Sequence, residues 1–241
     1  MIDYQIIIQA RMGSSRFPGK VMQPLLSKPM LTHQIRSLKK LEIPIVVATS
    51  NESLDSCIED ISNTNDLPCV RGSEVDVFHR FSQVIQRYPA MNYIRITADC
   101  PLISPAIIQR LLKLHSLLNV DYCSNTLIRS FPDGLDVEIF THQAFLRLSE
   151  IKLNGYQKEH VTPGFYENEG MFSVANLLEE ENLGDWRWTI DYPSDLHWLK
   201  SLLLAMNALE IPEYQEIKAF ILSNAIYCRK QGDTTHVEKI P

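Results

Sequence analysis

Apolar residues along this chain switch repeatedly between two spacings. Residues 4–8 hold the unbroken run Ile6, Ile7 and Ile8, the mark of a short strand buried on both faces. Over residues 29–41 the spacing becomes helical. Leu31, Ile35, Leu38 and Leu41 recur on one side and Arg36, Lys39 and Lys40 take the other. Pro29 suits a first turn, where its missing N–H costs nothing. Residues 43–49 return to an apolar run and predict a second strand. Strand, loop, helix and strand in close succession make a βαβ unit, with parallel strands and a right-handed crossover. The alternation continues with a helix over 52–61, a short strand at 69–70 and a helix over 75–88. That last helix turns Phe78, Phe81, Val84, Ile85 and Tyr88 inward. A strand over 93–97 and a helix over 105–118, capped by Ser104, complete the series. The pattern predicts an α/β fold with a mostly parallel twisted sheet and helices on both faces.

After Asp121 the rhythm loosens. Residues 124–134 are polar and turn-rich, and 135–140 alternate as a strand with one buried face. Thr141 is placed to cap the next helix. Residues 158–166 predict a short helix, 172–174 and 187–190 strands, and 194–206 and 212–228 two further helices. One domain is expected over 1–228, with a frayed polar tail over 229–241.

Composition narrows the function classes. The chain has 241 residues, 45 % hydrophobic and 22 % charged, with a net charge of −6. That balance argues against broad nucleic-acid binding. No apolar run approaches the ~20 residues of a membrane span. No basic segment precedes a hydrophobic core at the start, so a cytoplasmic protein is expected. The 5 cysteines lack metal or redox spacing.

Against the acidic background, residues 9–20 stand out. A basic, Gly/Ser-rich loop at the end of a buried strand is a place to hold phosphates. Gly13 and Gly19 admit close backbone approach, peptide N–H groups converge on an anion, and Arg11, Arg16 and Lys20 add fixed charge. Neither the P-loop nor the dinucleotide spacing is present, and a solvated basic loop is the plain alternative. Asp99 follows the strand over 93–97, and Asp191 ends the strand expected over 187–190. Carboxylates at the carboxyl ends of parallel strands face the ligand crevice, although turn aspartates are common. Arg71 leaves a short strand and is a candidate contact to base or phosphate. Arg80, on the following helix, reads equally well as a solvated ion-pair partner. Asp133, Asp136 and Glu138 offer carboxylates suited to sugar hydroxyls. They would repel an acidic substrate unless Arg129 or a metal offsets them. His160 is either a ligand contact or a satisfied structural residue.

Several of these motifs together resemble one family. Ala10-Arg11-Met12-Gly13-Ser14-Ser15-Arg16, then Gly19-Lys20, is similar to the nucleotide-binding signature of the cytidylyltransferases that make CMP-sugars. The resemblance is greatest to the branch named for spore coat polysaccharide biosynthesis protein F. It runs from about Ile6 to about Leu199 and includes Asp99-Cys100-Pro101, Asp191-Tyr192-Pro193-Ser194-Asp195-Leu196, residues 71–77, 132–138 and 159–163. It implies a Rossmann-like nucleotidyltransferase fold and a loop wrapped around the triphosphate of CTP, with Ala10, Arg11, Gly13, Ser14, Arg16, Lys20 and Arg71 on the nucleotide. Lys20, Arg11 and Asp99 would be catalytic, and Asp99 and Asp191 would bind Mg2+. Asp133, Asp136, Glu138 and His160 would line a sugar pocket within about residues 124–185. Relatives of this kind commonly dimerise, and the helix over 212–228 is the candidate contact. The expected reaction is CMP transfer from CTP to a sugar, releasing pyrophosphate, in glycan biosynthesis. The rivals are a glycosyltransferase of similar scaffold using a nucleotide-sugar donor, and a non-catalytic nucleotide-binding subunit.

Overall fold

The computed structural model describes residues 1–232; the remainder of the tail expected over 229–241 lies outside the described residues. Among the described residues nine strands are numbered in chain order, and seven of them form one sheet in the order β5-β4-β1-β6-β8-β7-β9. β1 (Ile2–Gln9), β4 (Ile45–Ser50), β5 (Cys69–Gly72) and β6 (Ala90–Thr97) are mutually parallel. β8 (Glu138–Thr141) runs antiparallel to β6 and to β7 (Tyr122–Ser124), and β9 (Val174–Asn176) pairs parallel with β7. β2 (Pro24–Leu25) and β3 (Lys28–Pro29) make a separate small hairpin.

The apolar runs sit at the centre, as their two-sided burial requires. Ile6 pairs with Ile45 and Ile94, and Ile8 with Val47 and Ile96. These side chains pack on one face with α1 (Met30–Lys39), α2 (Ser56–Thr64), α4 (Pro105–Leu118), α8 (Pro193–Ala205) and α9 (Tyr214–Ser223). Ile7 and Val46 point to the other face, against α3 (Val77–Arg87), α5 (His142–Ser149) and α7 (Pro163–Glu167). Each isoleucine so buried stabilises the fold by roughly 1.5–3 kcal/mol. Thr141 caps α5, accepting from the Ala144 N–H at 3.0 Å.

Four expectations are corrected. Residues 187–190 form no strand beyond a single bridge between Asp133 and Arg187. Their N–H groups go to three separate segments instead: Arg187 to Arg229 O, Trp188 to Asp133 O and Ile190 to Asp99 O. Of residues 135–140 only the end joins the sheet, because the Asn125 side chain takes up Leu135 O and the Val137 N–H. The helix expected over 158–166 is two, α6 (Gly155–His160) and α7, broken at Val161, whose φ is 67°. Fraying does not begin at residue 229: Arg229 is buried and bonded to Asp195.

Candidate active site

The loop after β1 is held by atoms outside its own basic motif. The Ala10 N–H donates to Ala48 O, and the Met12 N–H to Asp55 Oδ1 at 2.7 Å. Asp55 is itself buried beneath Thr49 and Ser50, both of which donate to it. Met12 O then accepts from the Ser14 and Gly19 N–H groups and closes the loop on itself. Gly19 takes the left-handed conformation, φ 72°, that favours glycine. Gly13 lies against Glu74, whose Oε1 would be 2.4 Å from any added Cβ. Closing in this way turns Lys20 inward at the start of a short 3-10 turn, with its side chain 10 % exposed.

Lys20 is where the site converges. Its Nζ donates to Asp99 Oδ2 at 2.8 Å, to Ile190 O at 2.9 Å and to Asp191 Oδ1 at 3.1 Å. The two aspartates singled out in the sequence therefore meet at one point, delivered by the end of β6 and by the segment leading into α8. Burial alone would lower the Lys20 pKa, but the carboxylates of Asp99 and Asp191 outweigh it and the ammonium is held above its ordinary value. Burial would likewise raise Asp99; the Lys20 charge and the hydrogen bonds from Lys20 and Thr97 reverse this and hold it below the usual carboxylate range. Asp191 also takes Arg16 at 2.8 Å and Arg187 at 3.2 Å. Behind it, fully buried Asp195 accepts from the Asp191 and Tyr192 N–H groups, from Arg187 and from Arg229. The turn that carries Asp191 is thus fixed from below.

No three His, Cys, Asp or Glu side chains among the described residues gather into a metal-binding group. Two carboxylates on one point still suit Mg2+, which takes one or two carboxylates and fills its octahedron with water and phosphate oxygens.

The cluster lies in the first of two adjoining cavities. The first, about 320 Å³, is lined by Arg11, Ser14, Arg16, Lys20, Asp99 and Asp191, among others. The second, about 400 Å³, is lined by Arg129, Asp136, Glu138, Tyr156, Thr162 and Tyr166, among others. Arg95, Thr97 and His160 line both. Arg95 is the wall between them: it donates to Gln9 Oε1 at 3.0 and 3.2 Å on one side and to Glu138 on the other.

The structure sorts the expected residues. Arg11, Ser14, Arg16 and Lys20 face the first cavity, while Ala10 is buried behind the loop. Asp136, Glu138 and His160 line the second, but Glu138 is already bonded to Arg95, Tyr122 and Thr162. Asp133 lines neither cavity; it lies 3.6 Å from Arg129 and accepts from Gln231. Arg71 does not reach the site. Its guanidinium is spent on Ser50 O, Glu52 O, Ser56 and Glu59 at the outer edge of the sheet. Arg80 is no solvated partner: it is fully buried, donating to Ser73 O and Glu74 O, with burial pulling its pKa down to about 10. Sequence reasoning missed Arg95, Asp55, Arg187 and Arg229. Only Arg95 carried a signal, as a charge inside the apolar run of β6.

Comparison with known proteins adds a family. A cytidylyltransferase family profile matches residues 5–211. Spore coat polysaccharide biosynthesis protein SpsF of Bacillus subtilis is 32 % identical over 211 residues, covering 84 % of this chain and 87 % of that protein. The structure of a cytidylyltransferase from Leptospira borgpetersenii superposes with a TM-score of 0.86 at 29 % identity, covering 98 % of this chain and 100 % of the other. CMP:2-keto-3-deoxy-manno-octonic acid synthetase, in complex with CTP, shares the fold at a TM-score of 0.63 and 17 % identity, over 85 % of this chain and 99 % of its own.

Proposed function

This chain belongs to the cytidylyltransferase family, and on that premise we propose that it transfers CMP from CTP to a sugar hydroxyl, releasing pyrophosphate. The first cavity takes the triphosphate and the second the acceptor. The observation that carries this reading is the meeting of Lys20, Asp99 and Asp191 inside a cation-lined cavity that shares Arg95, Thr97 and His160 with a polar one. The acceptor hydroxyl attacks the α-phosphorus, the bond to the bridging oxygen breaks, and the proton leaves to solvent. No protein nucleophile is needed. Arg11, Arg16 and Lys20 stabilise the charge that builds on the departing pyrophosphate, which is in-line positioning with electrostatic stabilisation. Asp99 and Asp191 would hold Mg2+, which when bound neutralises phosphate oxygens and acidifies the attacking hydroxyl. Arg95 keeps the two cavities in fixed relation through Gln9 and Glu138. The role would be to supply an activated sugar to surface polysaccharide assembly from the cytoplasm; the name of the SpsF relative, a spore coat polysaccharide biosynthesis protein, supports the polysaccharide part of that reading.

Pyrophosphate release measured with four nucleoside triphosphates against a sugar panel tests the reading. CTP with Mg2+ should turn over and the other three should not. Consumption of a nucleotide-sugar without pyrophosphate would instead indicate glycosyl transfer. CTP binding without turnover across the panel would indicate a non-catalytic binding subunit.

A further inference from the structure

We infer that the second cavity selects a neutral polyhydroxylated acceptor and discriminates against a sugar carboxylate. This rests on the reading of that cavity as the acceptor site. The charged side chains on its wall are already matched in pairs. Arg95 is bonded to Glu138, with both side chains only 10 % exposed, and its other nitrogens are taken by Gln9. Arg129 grips Asp136 in a bidentate fork at 2.8 and 2.9 Å and has Asp133 at 3.6 Å besides. Gln231 in turn holds Asp133 at 2.7 Å, so that third carboxylate is fixed beside the guanidinium.

A carboxylate entering this space finds both arginines of the wall, Arg95 and Arg129, already partnered. To gain Arg129 it would have to displace Asp136 from a bidentate pair, which trades one carboxylate for another and leaves the half-buried Asp136 unpaired near Asp133 and Glu138. The remaining polar groups on the wall are the hydroxyls of Thr97, Thr126, Tyr156, Thr162 and Tyr166 and the His160 ring. Hydroxyls donate and accept, which is what sugar hydroxyls require. Cations with looser commitments lie in the first cavity. Arg11, with contacts no closer than 3.5 Å, is the clearest, and the phosphates would occupy it.

A matched pair of probes isolates the charge: N-acetylneuraminic acid and its methyl ester, whose affinities for the full chain are read by saturation-transfer NMR at pH 8. The wild-type protein should bind the ester at least as well as the acid. Asp136→Asn releases the Arg129 fork, so the acid should gain about tenfold relative to the ester. Binding of neither probe by wild type, with a gain for the acid alone in Asp136→Asn, is the same result. A tenfold wild-type preference for the acid overturns the inference, and so does an acid-to-ester ratio that Asp136→Asn leaves unmoved. The wild-type ratio decides even if the variant misfolds. Calorimetric CTP binding, run in parallel, reports on the nucleotide site alone; its absence would sink the transfer reading without altering what the ratio says about this cavity.

Discussion

Replacing Lys20 with methionine keeps the methylene volume and removes the charge that joins Asp99 to Asp191. Breaking a buried ion pair by deleting one partner costs about 3–5 kcal/mol. Here the cost is smaller, because Asp191 keeps Arg16 at 2.8 Å and Arg187 at 3.2 Å, and because the Asp99 side chain is 29 % exposed and can be partly rehydrated. About 2–3 kcal/mol remains, nearly all of it on Asp99, and in a chain of this size each kcal/mol lowers Tm by about 2–4 °C. Lys20→Met should therefore melt about 4–12 °C below wild type at pH 7. The pH dependence separates this cause from a packing fault. The Asp99 pKa is depressed by folding, so its contribution is present above the ordinary value of 3.8 and is lost as pH falls through the lower folded value. The Lys20 pKa is raised, so its contribution is present below 10.5 and is lost as pH rises through the higher folded value. Calorimetric Tm measured from pH 3 to 11 should show wild type and variant drawing together at both ends. Pyrophosphate release should fall at least about 100-fold in kcat/KM, the scale for removing one preorganised charge-stabilising group. A Tm gap that stays constant across pH, or turnover within a few-fold of wild type, would refute the account of Lys20.

The same variant should respond more strongly to Mg2+ than wild type does, since the ammonium no longer sits between the two carboxylates; equal Tm shifts on titrating Mg2+ would count against a shared cation position. Arg71→Ala should leave the KM for CTP within about twofold and cost only about 1 kcal/mol in denaturant unfolding, because its bonds are to Ser50, Glu52, Ser56 and Glu59 at the sheet edge. A tenfold rise in KM would place it on the nucleotide after all. Gly134→Ala puts a Cβ 2.5 Å from the Thr189 nitrogen and 2.6 Å from the Trp188 carbonyl carbon, at φ 110°, and should cost about 3 kcal/mol or more. Gly170→Ala, with φ 74° but open space around it, should cost only about 1–2 kcal/mol, and equal losses in chemical denaturation would show that contact is not the cause. Arg229→Met and Asp195→Asn should each lower kcat/KM about tenfold, with the double variant no worse than either, because both act by holding the Asp191 turn; additive losses would separate them.

The central sheet was legible because its strands are apolar on both faces and its helices on one. The helix over residues 105–118 has the bounds its capping serine and first-turn proline imply. Lys20, Asp99 and Asp191 were legible for a related reason. All three follow segments read as strands or strand ends, and a parallel sheet gathers such ends on one side. Two strand arginines mark where this reasoning stops. Arg71 and Arg95 look alike in sequence, each a charge at or within a short apolar run. Arg71 lies on the edge strand β5, where Glu59 of α2 and the carbonyls of residues 50 and 52 take it up. Arg95 lies opposite Glu138 because β8 runs antiparallel beside β6, a pairing between residues far apart in the chain that no local pattern encodes.

That pairing also explains why Glu138, which lines the second cavity, has a less free carboxylate than a sugar-binding role alone predicts. The alternation over residues 135–140 shows which side chains turn inward; it does not show what awaits them there. The Arg95–Glu138 bond lies where the parallel half of the sheet, which carries the basic loop after β1, meets β8, the antiparallel strand entered from the segment that holds Arg129 and Asp136 at the second cavity. On the proposed assignment of the two cavities, a rigid contact at that seam would fix the distance between an acceptor hydroxyl and the α-phosphorus. In a reaction whose barrier is lowered mainly by positioning, an ion pair that touches neither substrate's reacting atoms is therefore part of how the geometry is set.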